Sequence, residues 1–168
     1  MVNYALTGTP GTGKTSLSKL LDQKVISLSE YYEEASNGKT ENDEWIVDIE
    51  KLDLLLDNIN CNIFEGNFAH KLSNIEKIIV LRCDPSILKK RLEERNYNTE
   101  KIRENLEAEA IGIIYSESLE YLGKENIMQI DNGNKTLKET SEIIKKYIND
   151  NIKVEEEIDY SERILDWY

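Results

Sequence analysis

The stretch that most constrains this chain is Gly8-Thr9-Pro10-Gly11-Thr12-Gly13-Lys14-Thr15, which follows an apolar run (Val2, Tyr4, Ala5, Leu6) and precedes an apolar-periodic segment. It satisfies the G-x-x-x-x-G-K-[ST] pattern at every fixed position. Glycines let the backbone of Gly8, Gly11, Thr12 and Gly13 wrap until successive N–H groups converge on one anion. The helix that follows aims its positive N-terminal end at the same point. Lys14 is then placed to reach the β- and γ-phosphates of a nucleotide, and the Thr15 hydroxyl to hold Mg²⁺. The plain alternative is a glycine-rich turn without a ligand. The order strand, loop, helix argues against it.

Apolar runs at 2–7, 25–28, 62–64, 78–81 and 127–131 read as strands. Helical spacing marks 13–23 (Leu17, Leu20 and Leu21 as core), 30–35 capped by Ser29, 47–58, 84–95 opened by Asp84-Pro85, 99–122 stopped by Gly123, and 137–148. Five strands alternating with helices predict an α/β fold of the P-loop NTPase type: an open parallel sheet with helices on both faces. The polar stretch 36–46, with Trp45 as its bulky aromatic, is either a flap over a pocket or an ordinary surface loop. Cys61 and Cys83 form no C-x-x-C pair and read as buried thiols on strands.

Ligands on such sheets sit beyond the carboxyl ends of the strands, where Glu65 and the segment Arg82-Cys83-Asp84 fall. Glu65 is the candidate Mg²⁺ carboxylate, acting through water, unless it is a surface residue at a strand end. Phosphoryl transfer also needs positive charge over the transferred group. Arg91 and Arg95 share a helix face ahead of the interruption at Asn96-Tyr97-Asn98, where a lid can hinge, and Arg103 enters from the other side. Their competing reading is a basic face paired with Glu93, Glu94 and Glu104. His70, the single histidine, is a general base or a structural group. Asn132-Gly133-Asn134 either presents backbone to a base or is simply a turn.

At 168 residues the chain suits one domain, 1–152, followed by an acidic tail, 153–168. A net charge of −12 repels a nucleic-acid backbone, which excludes non-specific DNA or RNA binding. It fits a basic protein partner or serves solubility alone. No run is long and apolar enough for a membrane span and no leader pattern precedes the first strand, so a cytoplasmic protein is expected.

Three stretches together resemble the adenylate kinase family, in particular its lid-shortened branch of nuclear adenylate kinase-like ATPases in small ribosomal subunit maturation and their archaeal relatives. They are LTGTPGTGKTSLSKLL at Leu6 to Leu21, IFEGN at Ile63 to Asn67, and IIVLRCDPSILKKRLEERNYNTEKIRENLEAE at Ile78 to Glu109. The tail's Asp166-Trp167 also looks like the archaeal members. The resemblance implies that Gly11, Gly13, Lys14, Thr15 and Ser16 bind ATP phosphates and that Arg95 is the lid arginine, in a lid of about 94–105. It implies that about 29–50 covers the monophosphate acceptor and that a basic small-subunit ribosomal protein is a partner. The expected activity is MgATP-dependent phosphorylation of AMP with weak ATPase activity, and the alternative is an ATP-hydrolysing assembly factor with little AMP kinase activity. Two departures stand out. Asn67 occupies the position where the branch has histidine, and residues 24–81 contain no arginine to clamp an acceptor phosphate, leaving Lys39 and Lys51 as the cations near the expected acceptor site.

Overall fold

A computed structural model describes residues 1–167. Five strands form one parallel sheet: β1 (Tyr4–Gly8), β2 (Val25–Ser27), β5 (Ile63–Glu65), β6 (Lys77–Arg82) and β7 (Ile127–Asp131), in the order β2-β5-β1-β6-β7. The central strand β1 pairs Leu6 with Glu65 on one side and Gly8 with Leu81 on the other. The phosphate-loop sequence therefore leaves the sheet between the ends of β5 and β6.

Alternation along the strands gives the sheet two apolar faces. Ala5, Phe64, Ile78 and Val80 face Leu52 and Leu56 of α2 (Ile49–Leu56). Tyr4, Leu6, Ile63, Ile79 and Leu81 face Leu17 of α1 (Lys14–Ser18) and Ile144 and Tyr147 of α6 (Leu137–Asp150). A third cluster, Leu88, Leu92, Ile102 and Leu106, joins α3 (Pro85–Glu94) to α4 (Thr99–Ile111). Helices thus cover both faces, as the alternation of strands and helices predicts. Among the described residues no helix is long and apolar enough to cross a membrane.

Several local expectations are corrected. The first helix is short, ending at Ser18, so Leu20 turns outward at 41% exposure while Leu17 and Leu21 stay in the core. Ser29 caps nothing; it lies inside a 3-10 turn, Leu28–Tyr31, and its hydroxyl meets that of Ser27 at 3.0 Å. The stretch 36–46 is a β-hairpin, β3 (Ser36–Lys39) with β4 (Trp45–Val47), whose polar composition hid its pairing. The expected helix over 99–122 is two helices. Gly112, at φ 65° and ψ 42°, adopts the left-handed conformation that ends α4 and starts α5 (Ile113–Tyr121). Cys61 and Cys83 are buried, but each lies beside a strand and not within one.

The tail packs back on the body. Glu156 accepts the Asp131 N–H at 2.8 Å and Lys135 at 2.7 Å, the Tyr160 ring sits 5.4 Å from the Arg82 guanidinium carbon, and Trp167 packs on the third cluster. Tyr168 lies outside the described residues.

Candidate functional site

Where β1 ends, the chain turns through Gly8 to Gly13 into the first turn of α1. Gly13 has φ 105°, and a Cβ there would collide with Asn132 Nδ2. Only glycine fits both the conformation and the contact. Lys14 folds back over the loop, its ammonium donating to the carbonyls of Gly8 at 2.7 Å and Thr9 at 3.1 Å. The sequence predicts an open lysine. In the structure Lys14 is only 8% exposed, because those two carbonyls hold its ammonium in the cradle. Burial lowers the Lys14 pKa to about 8, opposed by the Glu65 carboxylate and reinforced by the Arg95 charge.

A cavity of about 450 Å³ opens over this loop. Gly11, Gly13, Lys14, Thr15, Glu65 and Arg95 all line it. Glu65 ends β5 with 5% exposure, one oxygen accepting the Ser27 hydroxyl at 2.9 Å. Thr15 is exposed in the first turn of α1. An exposed hydroxyl and a carboxylate with an uncommitted oxygen are hard donors that suit Mg²⁺, which keeps several of its waters and takes few protein ligands. Arg95 is the C-cap of α3; among the described residues its guanidinium makes no hydrogen bond or ion pair, and the side chain stands exposed on the cavity wall.

Other candidates fall elsewhere. Gly8, Thr12 and Ser16 do not line the cavity: Gly8 lends its carbonyl to Lys14, the buried Thr12 hydroxyl donates to Thr9 O at 2.8 Å, and Ser16 is exposed on α1. Arg91, expected to face the phosphates, is not among the residues that line the cavity. Its guanidinium donates to the carbonyls of Gly11 at 3.2 Å and Asn132 at 2.9 Å, and those bonds hold it against the loop's flank. Asn132 likewise serves the loop, donating to Thr12 O at 2.7 Å and accepting Thr140 Oγ1 at 2.7 Å. Arg103 pairs with Glu107 at 3.0 Å.

One buried group carries no signal in the sequence. Glu109 on α4 accepts the Thr9 hydroxyl at 2.7 Å, Arg82 Nε at 2.8 Å and the Cys83 N–H at 2.9 Å, tying the loop to β6. The spacing of Glu109 in a helix gives no hint of this, since its partners are remote in sequence. His70, 1% exposed, lies between Thr7 Oγ1 at 3.0 Å and Glu117 Oε2 at 2.7 Å. A carboxylate only accepts, so Nε2 carries the proton and Nδ1 accepts from Thr7. Burial lowers the His70 pKa despite the bond to Glu117, keeping the ring neutral at pH 7. Finally, the cations along the cavity besides Lys14 and Arg95 are Lys71 and Lys101. Lys39 and Lys51 are not among its walls: the first pairs with Asp43 at 2.9 Å and the second donates to Asn37 at 2.7 Å.

Known proteins share this plan. The family described as "AAA domain" matches residues 5–112. Proteins named "Putative adenylate kinase" are similar across nearly the whole chain. That of Thermococcus gammatolerans is 36% identical, covering 94% of this chain and 92% of the relative. That of Methanosarcina barkeri is 39% identical, covering 96% and 95%. That of Methanocaldococcus jannaschii is 34% identical, covering 99% and 97%. Among solved structures, the YorR protein of Bacillus subtilis, crystallised with phosphorylated GDP, superposes with a TM-score of 0.55 at 22% identity, over 88% of this chain and 95% of that one. That likeness concerns the fold alone. With this level of identity over almost its full length, the chain belongs to the adenylate kinase family that these archaeal relatives represent.

Proposed function

We propose that the protein transfers the γ-phosphate of MgATP to a nucleoside monophosphate, with AMP as the preferred acceptor. The observation that carries this reading is the single cavity onto which Lys14, Thr15, Glu65 and Arg95 all open, in a chain whose relatives bear an adenylate kinase name. Gly11, Gly13 and the first turn of α1 hold the ATP phosphates by backbone N–H groups, and Lys14 exchanges its two carbonyl partners for β- and γ-oxygens. Thr15 would hold Mg²⁺ and Glu65 would reach it through water, and the metal would supply charge neutralisation for the transferred phosphate. An acceptor phosphate oxygen forms a bond to the γ-phosphorus as the bond to the β,γ-bridging oxygen breaks, so that ATP and AMP become two ADP. Arg95 balances the charge that spreads over the equatorial oxygens. Residues 29–50, with the hairpin, form the acceptor-side cover, and 94–105 act as the lid. A coupled assay tests this: ADP formation must depend on AMP, and a rate equal to that with ATP alone contradicts it.

A second reading has its own support in the net charge of −12 and the absence of arginine from residues 24–81. In it the protein hydrolyses ATP weakly and acts as an assembly factor on a basic small-subunit ribosomal protein. Pull-downs with and without ATP test it; no capture in either state contradicts it.

A further inference from the structure

The four cations on the cavity wall are not equivalent. Lys14 belongs to the phosphate loop, and Arg95 stands on the α3 side close enough to repel the Lys14 charge. Lys101 is committed to Glu44 and lies 4.5 Å from the Tyr97 ring centroid, which ties α4 to the hairpin turn. Lys71 is different. Its ammonium is 3.5 Å from Glu117 Oε2, longer than the roughly 2.7–2.9 Å of a strong charge-assisted hydrogen bond. Its other neighbour is the Phe68 ring, at 5.9 Å.

The position of Lys71 follows from the sheet. β5 pairs with β1, so the turn after Glu65 emerges beside the phosphate loop. His70, next to Lys71, is anchored to Thr7 at the end of β1. Lys71 therefore reaches the same crevice as the loop, from the β5 side, with Asn67, Phe68 and Tyr32 lining the cavity around it. Glu117 is held independently by His70 at 2.7 Å, so its carboxylate keeps a partner if Lys71 turns away.

We propose that Lys71 binds the phosphate of the acceptor nucleotide, exchanging the Glu117 carboxylate for a phosphate oxygen, and so replaces the arginine clamp that residues 24–81 lack. This rests on the phosphotransfer reading above. A phosphomonoester carries about −1.5 to −2 charges at pH 7, more than the carboxylate it displaces. A single ammonium gives a point charge without the fork of a guanidinium, so the site tolerates different monophosphate orientations.

The test uses the full chain with Lys71→Met, which removes the charge and keeps the stem, and Lys71→Ala and Lys71→Arg beside it. Lys138→Ala is the control, because Lys138 is exposed on α6 and does not line the cavity. AMP and ATP are titrated separately by calorimetry, and AMP-dependent ADP formation is followed. Loss of one charged hydrogen bond predicts about a 10- to 100-fold rise in Kd and KM for AMP in Lys71→Met and Lys71→Ala, with ATP affinity unchanged. Lys71→Arg restores most of the affinity, and Lys138→Ala matches wild type. Equal AMP affinity in wild type and Lys71→Met overturns the proposal, and if AMP is still phosphorylated it does so without touching the phosphotransfer reading. AMP held through Lys71 but never phosphorylated supports the site and contradicts that reading. A wild-type chain that binds no AMP overturns both.

Discussion

Glu109 accepts the Thr9 hydroxyl at 2.7 Å across one hundred residues of sequence, while its other oxygen accepts Arg82 Nε at 2.8 Å. Both members of the pair are almost sealed from water, at 2% and 3% exposure. The phosphate loop is thus braced from α4 through a buried ion pair. Removing one partner of such a pair leaves the other charge uncompensated, so Glu109→Ala is expected to lose about 3–5 kcal/mol of stability. Replacing both together, Arg82→Met with Glu109→Leu, recovers most of that loss in urea unfolding. Equal destabilisation by the single and double variants contradicts the pairing.

Arg91 and Arg95 lie four residues apart yet part company in the structure: one donates to the carbonyls of Gly11 and Asn132, the other stands on the cavity wall. Arg95→Ala is expected to lower kcat by about 100- to 1000-fold, the usual effect of losing one donor to a developing charge, and to leave Tm unchanged. Arg91→Ala lowers Tm and weakens ATP binding together, because the loop loses its flank. Identical behaviour of the two variants in Tm and kcat rules this division out.

The Lys14 ammonium, lowered to about 8 from 10.5, gives nucleotide binding a pH signature. ATP phosphates favour the charged amine, so at about pH 8.5 binding draws in a proton, and apparent affinity weakens as pH rises through 8. Calorimetry in buffers of different ionisation enthalpy reads the uptake directly. For stability the sign is opposite: between 8 and 10.5 the unfolded chain holds this proton more tightly, so the Lys14 contribution rises with pH over that window. No proton uptake at alkaline pH contradicts the buried ammonium.

The tail is part of the folded body through Glu156, Tyr160, Arg163 and Trp167. Arg163 reaches Asp84, the N-cap of α3, at 2.9 Å. Removing residues 153–168 uncovers Arg82 and frees the Asp131 N–H, and is expected to lower Tm by roughly 5–10 °C. An unchanged Tm shows that these contacts contribute nothing.

What could be read from the sequence was what depends on local chemistry. Gly13, Lys14 and Thr15 carry a pattern whose geometry is fixed within eight residues, and Glu65 is marked by ending an apolar strand. The five strands were legible because buried parallel strands are short apolar runs. The hairpin at 36–47 was not, since its residues are polar and its pairing is a tertiary outcome. The break at Gly112 was masked by apolar spacing that continues through it, and the left-handed turn there packs beside Arg82. Glu109, Lys71 and the split between Arg91 and Arg95 depend on which strands lie side by side, and no local spacing encodes that.

In the proposed reaction the γ-phosphate goes to a nucleotide and not to water. ATP labelled in its γ-phosphate, incubated with the protein and Mg²⁺ with and without AMP, tests it most directly. Label is expected in the β-phosphate of ADP, formed only when AMP is present and lost in Lys14→Ala. Label released as inorganic phosphate at the same rate with or without AMP would contradict it.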